Sequence, residues 1–459
     1  MSIATHDNGS FWFDSLESLP EPQEPLSLPK AIDVAIIGAG YTGLWTAYYL
    51  KQRRPDFNIA IFEAVTVGFG ASGRNGGWCM GLAMGVEALL AKPQTRQVGV
   101  QVLRAMHDTV DEVGRVCQAE NIDCHYQKGG TLSVATLPFR VKPMQERVAR
   151  FHEMGFSEDD YRWLPANEAK DRINCATNYG ASYTPHCAAI HPARLVKGLA
   201  ESVRGLGVVI HEMTPVTGYE PGRIHTDVGS IDASIVLRTT EGYTESLSNQ
   251  RRQVLPLYSM MVATEPLPQG TWEDIGLHRR ETFGDGRRVV IYGQRTLDDR
   301  LAFGGRGSYY FGSKRKARVL PADPMLDIVE KNLRDFFPAL GDVAITHRWG
   351  GLMGVTRNWR PCVSFDRHTG LGSAGGYVGE GVAASNLAGR VLCELVSGGT
   401  SDLAQLPWVG DWAKRWQPEP MRWAGARAIR FIGDLADRTE RSSNAPSKLW
   451  GGLFDRLVG

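Results

Sequence analysis

Residues 33–54 read DVAIIGAGYTGLWTAYYLKQRR, and the reading of this stretch decides the fold. Val34 to Ile37 form a short apolar run suited to a buried parallel strand, and the residues from Tyr41 onward read as the helix that follows. Between them lies Gly38-Ala39-Gly40-Tyr41-Thr42-Gly43, a G-x-G-x-x-G. In such a turn the first glycine permits the bend, the second clears space for a pyrophosphate, and the third lets helix and strand pack closely. Exposed N–H groups and the helix dipole then favour an anion. A second strand, NIAIFEA, ends in Glu63, twenty residues past Gly43, where a carboxylate accepts ribose hydroxyls. No arginine stands beside Glu63, which argues against a 2′-phosphate and leaves NAD and FAD open.

Taken over residues 31–50 the same stretch is about as long and apolar as a membrane helix, but its three glycines and Asp33 fit strand, turn and helix better. A chain of 459 residues fits two or three interleaved units. With 42% hydrophobic and 22% charged residues and a net charge of +1, it reads as neither disordered nor a general nucleic-acid binder. Seven scattered cysteines, none spaced C-x-x-C, indicate neither a disulfide framework nor a metal site; free thiols in a reducing cytoplasm are expected. Residues 1–30 lack the basic and apolar regions of a signal peptide, and their prolines read as an arm lying across the surface.

A nicotinamide dehydrogenase continues from the acid into another helix, whereas residues 65–85, VTVGFGASGRNGGWCMGLAMG, are too glycine-rich for one. Small residues let backbone amides approach a flat ligand. The order GAGYTG, a strand ending in Glu63, then GASGRNGG at 70–77 resembles the D-amino-acid oxidase-like FAD-dependent oxidoreductases, the glycine oxidase, sarcosine oxidase and gamma-glutamylputrescine oxidase type. The resemblance implies an α/β fold: a Rossmann-type FAD-binding domain, discontinuous in sequence, with an inserted, mainly antiparallel β-sheet substrate domain. The FAD-binding domain would comprise residues 31–85, 188–250 and 345–400, and the substrate domain 86–187 and 251–344, with an N-terminal arm (1–30) and a C-terminal helical extension (401–459).

FAD contacts are implied at Gly38, Ala39, Gly40, Tyr41, Thr42, Gly43, Glu63 and Ala64, and along Ser72, Gly73, Arg74, Asn75, Gly76 and Gly77. Valine at Gly76 or Gly77 is expected to cost cofactor binding more than fold, and Trp78 is the first aromatic expected near the flavin ring. A helix opening at Pro192 and a strand from Val208 to His211 lead to Val216, which in this family covers the adenine through its backbone. Thr240, Glu241 and Gly242 are expected to close over the adenosine and diphosphate side. Tyr258 and Met260 alternate with Ser259 and Met261, so one pair faces the flavin cavity; Tyr258 is the catalytic candidate.

Strands at 288–294 and 300–304 form a hairpin around a turn at 296–299, and FGDGRR at 283–288 reads as a turn. Arg306, between two glycines, is the candidate to bind a substrate carboxylate bidentately. Gly376, Gly379 and Gly381 match the family's C-terminal FAD signature, ahead of a helix whose N-terminus stabilises negative charge. Glu380 stands where many relatives have histidine and would favour a cationic amine, the third catalytic candidate. Gly351 stands where a sarcosine oxidase carries its flavin-linked cysteine, so the FAD is expected to be noncovalent, with Cys362 a secondary attachment site.

The resemblance implies oxidation of a small primary or secondary amine or amino acid, with oxygen reduced to hydrogen peroxide. LAFGGRG at 301–307 lacks the relatives' oxygen-activating lysine, which keeps a dehydrogenase passing electrons to a quinone, or a non-catalytic flavin-binding subunit, as alternatives. The chain is expected to be cytoplasmic, a monomer or dimer, without a nucleic-acid partner. Residues 411–459 hold nine Lys/Arg against six Asp/Glu and four tryptophans, with Met421, Ala424, Ala428, Ile432 and Leu435 along one helical stripe. Docking of that helix on its own domain or a second subunit is expected ahead of contact with a membrane interface.

Overall fold

The computed structural model describes residues 9–17, 28–307, 309–314, 319 and 322–458, with Arg306 described in its backbone only. Two mixed layers organise it. In the first, the strand Ala31–Ile37 runs parallel to Ile59–Phe62 on one side and Ser230–Arg238 on the other. Val209–His211 and Leu371–Gly375 extend the parallel set, Cys362–Asp366 closes one edge, and the hairpin Val216–Glu220 with Arg223–Thr226 adds two antiparallel strands. Strands covered on both faces have to be apolar throughout, which is why AIDVAII shows no clean alternation. On one face the helices Tyr41–Arg53, Arg96–Ala119, Pro192–Gly205 and Gly381–Ser397 pack through Leu44, Val110, Leu199 and Leu387. Close helix packing needs Gly389, where a Cβ would lie 2.8 Å from the Trp45 Cβ.

The second sheet also has eight strands, ordered from Ile345–Val355 through Leu255–Thr264, Leu301–Arg306, Ile291–Arg295, Thr282–Asp285, Thr131–Val134 and Ala181–Thr184 to Arg162–Leu164. All its pairings are antiparallel except Thr282–Asp285 with Thr131–Val134. Three expectations change here. Residues 345–355, grouped by sequence with the nucleotide-binding segments, pair along their length with Leu255–Thr264 in this second sheet. The helix Arg96–Ala119, grouped with the inserted domain, buries its apolar face in the core of the first sheet. The start of FGDGRR is strand, not turn, because Phe283 fills the core between Phe303 and Phe336.

Part of the described N-terminal arm is buried rather than lying on the surface, while Asp14, Glu17 and Lys30 are exposed. Phe11, Trp12 and Phe13 are at most 2% exposed and pack with Met261, Ala302 and Trp349 between the two sheets. The arm's prolines 20, 22 and 25 lie outside the described residues. At the other end, the helix Met421–Ser443 docks on the chain's own second domain. Asp437 accepts hydrogen bonds from the backbone N–H groups of Arg288 (3.0 Å) and Val289 (2.9 Å), and Glu440 pairs with Arg140 (3.0 Å) and Arg288 (2.6 Å). The stripe expected to dock is therefore displaced: Met421, Ala424 and Ala428 are exposed, while Arg422, Asp437 and Glu440 are buried with Ile432 and Ala436. Trp412 and Trp416 face inward too, donating to Ser373 Oγ and to the Val355 carbonyl, both at 2.7 Å. Among the described residues no helix is long and apolar enough to cross a membrane.

Candidate functional site

The first glycine turn takes the geometry its spacing demands. Gly38 has φ of +106°, and a Cβ on Gly43 would lie 2.1 Å from the Gly38 carbonyl oxygen, so neither position accepts a side chain. Strand pairing carries Glu63 to the mouth of this turn, where its carboxylate accepts the Ala39 N–H (2.9 Å) and the Val65 N–H (3.0 Å). Desolvation raises the Glu63 pKa against these hydrogen bonds. Ala64 beside it is exposed, and Val216 follows the segment whose Thr214 N–H donates to the Glu63 carbonyl at 2.8 Å.

The second glycine loop crosses directly over the first. Ser72 Oγ accepts the Tyr41 N–H at 2.9 Å, at the start of the helix Tyr41–Arg53. Thr42 Oγ1 and the Tyr377 hydroxyl are bonded at 2.9 Å, which ties the turn to the loop 376–380. Arg74 is 5% exposed, its guanidinium lies 4.6 Å over the Phe69 ring, and its Nε is buried without a hydrogen-bond partner in the protein. Such a buried, unpaired donor calls for an acceptor from a ligand. Asn75 instead shapes the loop: its amide donates to the Ala71 and Ser72 carbonyls and accepts the Gly77 N–H.

The glycines of this loop adjoin protein. A Cβ would fall 2.1 Å from Phe13 at Gly73, 2.4 Å from Tyr292 at Gly76 and 2.0 Å from Gln294 at Gly77. Gln294 Nε2 donates to the Gly76 (2.8 Å), Gly77 and Ile190 carbonyls (both 3.2 Å). A valine at Gly76 or Gly77, expected from sequence to cost cofactor binding more than fold, meets protein atoms directly, so a cost to the fold is expected as well. Trp78 packs edge-on against Tyr292, with ring centroids 5.9 Å apart, and its Nε1 is buried without a protein partner.

Alternation settles which face of the strand Leu255–Thr264 looks at this loop. Ser259 pairs with Gly351, where a Cβ would lie 3.2 Å from the Arg74 Cβ, and Met261 packs with Trp12 and Trp349. Ser259 Oγ bonds the Tyr292 hydroxyl at 2.7 Å. Tyr258 is on the opposite face with Met260, packed in the outer core with Leu326 and Val329 and 5.3 Å edge-on from Tyr310. Tyr258 is thus corrected from catalytic candidate to core residue, because period 2 cannot place it and Ser259 on one face. The backbone of Arg306 pairs with Ser259, and its side chain lies outside the described residues.

The loop 376–381 and the segment 240–242 complete the site. Glu241, at φ +42°, accepts the N–H groups of Gly354 (2.6 Å), Gly376 (3.0 Å) and Tyr377 (2.9 Å), joining the two domains; burial raises its pKa to about 7. Thr240 Oγ1 bonds Thr244 Oγ1 at 2.9 Å, and Gly242 packs on Leu352 and Met353. Gly376 (φ +77°) and Gly379 (φ +113°) turn the chain into the helix Gly381–Ser397; exposed Gly379 faces Met353, and Glu380, partly buried at the N-cap, does not cap the helix with its side chain. Sequence reasoning missed Tyr292, Gln294, Trp349 and the Phe11–Phe13 plug, which meet the loop only through tertiary packing. The alternation of the IYGQR strand put Tyr292 and Gln294 on one face, but nothing local named what that face covers.

The family model for FAD dependent oxidoreductases, the DAO family, matches residues 33–395. The chain belongs to this family. A probable oxidoreductase OrdL from Rhizobium meliloti is 31% identical over 424 residues, covering 86% of this chain and 90% of that protein. Gamma-glutamylputrescine oxidoreductase from Escherichia coli is 27% identical over 388 residues, covering 82% and 86%. Glycine oxidase from Geobacillus kaustophilus superposes with a TM-score of 0.68 at 19% identity, over 85% of this chain and 100% of that one. As a DAO-family oxidoreductase the chain uses FAD. The residues fit that cofactor: a carboxylate at the end of the second strand, a glycine turn at Gly38–Gly43 leading into a helix N-terminus, and a buried cationic donor at Arg74.

Proposed function

We propose that this DAO-family chain oxidises a small primary or secondary amine or amino acid to an imine, which water hydrolyses to a carbonyl product and an amine or ammonia. FAD, held noncovalently by the residues named below, would supply the hydride acceptor and the route by which oxygen is reduced to hydrogen peroxide. The observation that carries the reading is the buried, unpaired Arg74 Nε, on the same loop as Ser72, whose Oγ accepts the Tyr41 N–H; it leaves a donor for an anionic ligand.

In this reading Gly38–Gly43 and Ser72–Arg74 hold the diphosphate, Glu63 the ribose, Val216, Thr240 and Gly242 the adenosine side, and Gly351, Gly376, Gly379 and Gly381 the flavin end. The N-terminus of the helix Gly381–Ser397 stabilises negative charge there without reorganising. Ser259 and Tyr292 form the polar floor between the second glycine loop and the sheet, and they orient the substrate. Glu380 draws a cationic amine to the mouth, and Arg306 binds a carboxylate where the substrate has one. The amine reacts neutral, so rate rises as the substrate loses its proton.

Anaerobic titration of the purified yellow protein with a panel of amines and amino acids tests this. Bleaching by one class, followed on air admission by peroxide matching substrate consumed, is the expected result. A flavin that no amine bleaches removes the proposal; bleaching with no peroxide replaces oxygen by another acceptor such as a quinone.

A further inference from the structure

All seven cysteines are buried free thiols, and two of them touch. Cys117 lies in the last turns of the helix Arg96–Ala119; the chain then reverses through Asn121, at φ +55°, with the Ile122 N–H donating to the Cys117 carbonyl at 2.7 Å. This reversal brings Cys124 Sγ to 3.6 Å from Cys117 Sγ. Both residues line an open cleft of about 640 Å³ with Gly114, Asp123 and Lys128. Cys117 and Cys124 are 4% and 1% exposed, so only a reactant as small as hydrogen peroxide fits the approach to them from this cleft. The Cys124 carbonyl accepts the His191 N–H at 2.8 Å, so the pair anchors the loop that seats the helix Pro192–Gly205.

We propose that Cys117 and Cys124 are a modification site, a dithiol that hydrogen peroxide converts reversibly to an intramolecular disulfide. One sulfur attacks the peroxide: an S–O bond forms, the O–O bond breaks, and one water leaves, giving a sulfenic acid. The second sulfur displaces that hydroxyl as a second water and the S–S bond forms. Two thiols lose two electrons and two protons, and one peroxide becomes two waters. The contact with Cys117, then burial, push the Cys124 thiol well above its ordinary range, so oxidation accelerates with rising pH. That turnover itself supplies the peroxide rests on the proposed function; added peroxide tests the dithiol separately.

Trypsin leaves both sulfurs in one fragment, residues 116–128, VCQAENIDCHYQK. The holoenzyme, without substrate, is treated with hydrogen peroxide, quenched in acid, denatured, alkylated, digested and weighed. The expected fragment carries no alkyl group, is lighter than the dithiol by two hydrogens, and takes two alkyl groups after dithiothreitol. Cys117→Ser and Cys124→Ser each abolish the internal link while keeping flavin absorbance. Unchanged alkylation of both sulfurs, stable sulfinic acid on one, or linkage to a different cysteine overturns the proposal.

Discussion

At Gly40, in the first glycine turn, an added Cβ would meet the Ser72 Oγ at 2.9 Å and otherwise only that residue's own Cβ within 4.0 Å. At Gly73 and Gly77, in the second, it would strike the Phe13 ring at 2.1 Å and the Gln294 amide at 2.0 Å. Two stretches that look alike in composition are thus small for different reasons. At Gly40 the first leaves space that only the Ser72 side chain approaches, while Gly43 packs the helix onto the Gly38 carbonyl; the second lets an N-terminal plug and a strand from the other sheet come within contact of its backbone. Glycine density marks close approach, and what approaches is decided elsewhere in the chain.

Removing the plug tests the second half of that contrast most severely. Trp12→Ala deletes a 1%-exposed side chain whose indole donates to the Asn75 carbonyl at 2.8 Å. It should cost about 4 kcal/mol of stability, read by denaturant unfolding of the apoprotein. Gly77→Val, at φ +70° against Gln294 and the Ile190 carbonyl, should cost about 3 kcal/mol in the same assay. If Gly77→Val instead unfolds at the parental midpoint and loses only flavin, the second loop resembles the first after all.

His191 supplies a pH test of the plug. Its Nδ1 accepts the Arg194 N–H at 3.2 Å, so Nε2 carries the proton and donates to Ser15 Oγ at 3.0 Å. Burial lowers its pKa from 6.5 to about 3. A depressed histidine contributes stability that is present above the unfolded value and lost as pH falls toward the folded one. The parent should therefore lose about 2 kcal/mol between pH 6 and pH 4.5 that His191→Gln does not lose. Equal slopes in the two proteins would show that the histidine is not held neutral. Smallest in its effect on the fold is Gly40→Ala: the Ser72 hydroxyl moves aside at a cost below about 1 kcal/mol, while flavin absorbance per protein drops severalfold. A variant destabilised by several kcal/mol that still binds its flavin at the parental ratio would reverse the assignment of the two turns.

Legibility follows range along the chain. The strand, turn, helix and acid from Val34 to Glu63 declare themselves because each residue's role is fixed by neighbours within one βαβ unit. The helix opening at Pro192 is readable in the same local way, and the alternation at 258–261 reads as a strand. Tyr258 was not, since alternation yields two faces without saying which one meets the cofactor-binding domain. The C-terminal helix misled for another reason: its docking face is ionic, with Asp437 and Glu440 paired to backbone N–H groups and arginines, so an apolar stripe points to the wrong side.

The sequence by itself determined the nucleotide-binding unit and the preference for an anion at Gly38–Gly43, because local spacing specifies backbone geometry there. That spacing left NAD and FAD open, and the family resemblance carried by GASGRNGG implied FAD. Only tertiary structure decided that Phe11–Phe13 fill the space behind Gly73, that Ser259 and Tyr292 rather than Tyr258 face the loop, and that Glu241 joins the two domains. Phe13 lies 60 positions from Gly73, Tyr292 216 from Gly76 and Glu241 135 from Gly376, and no local pattern encodes a partner whose identity depends on how two sheets pack.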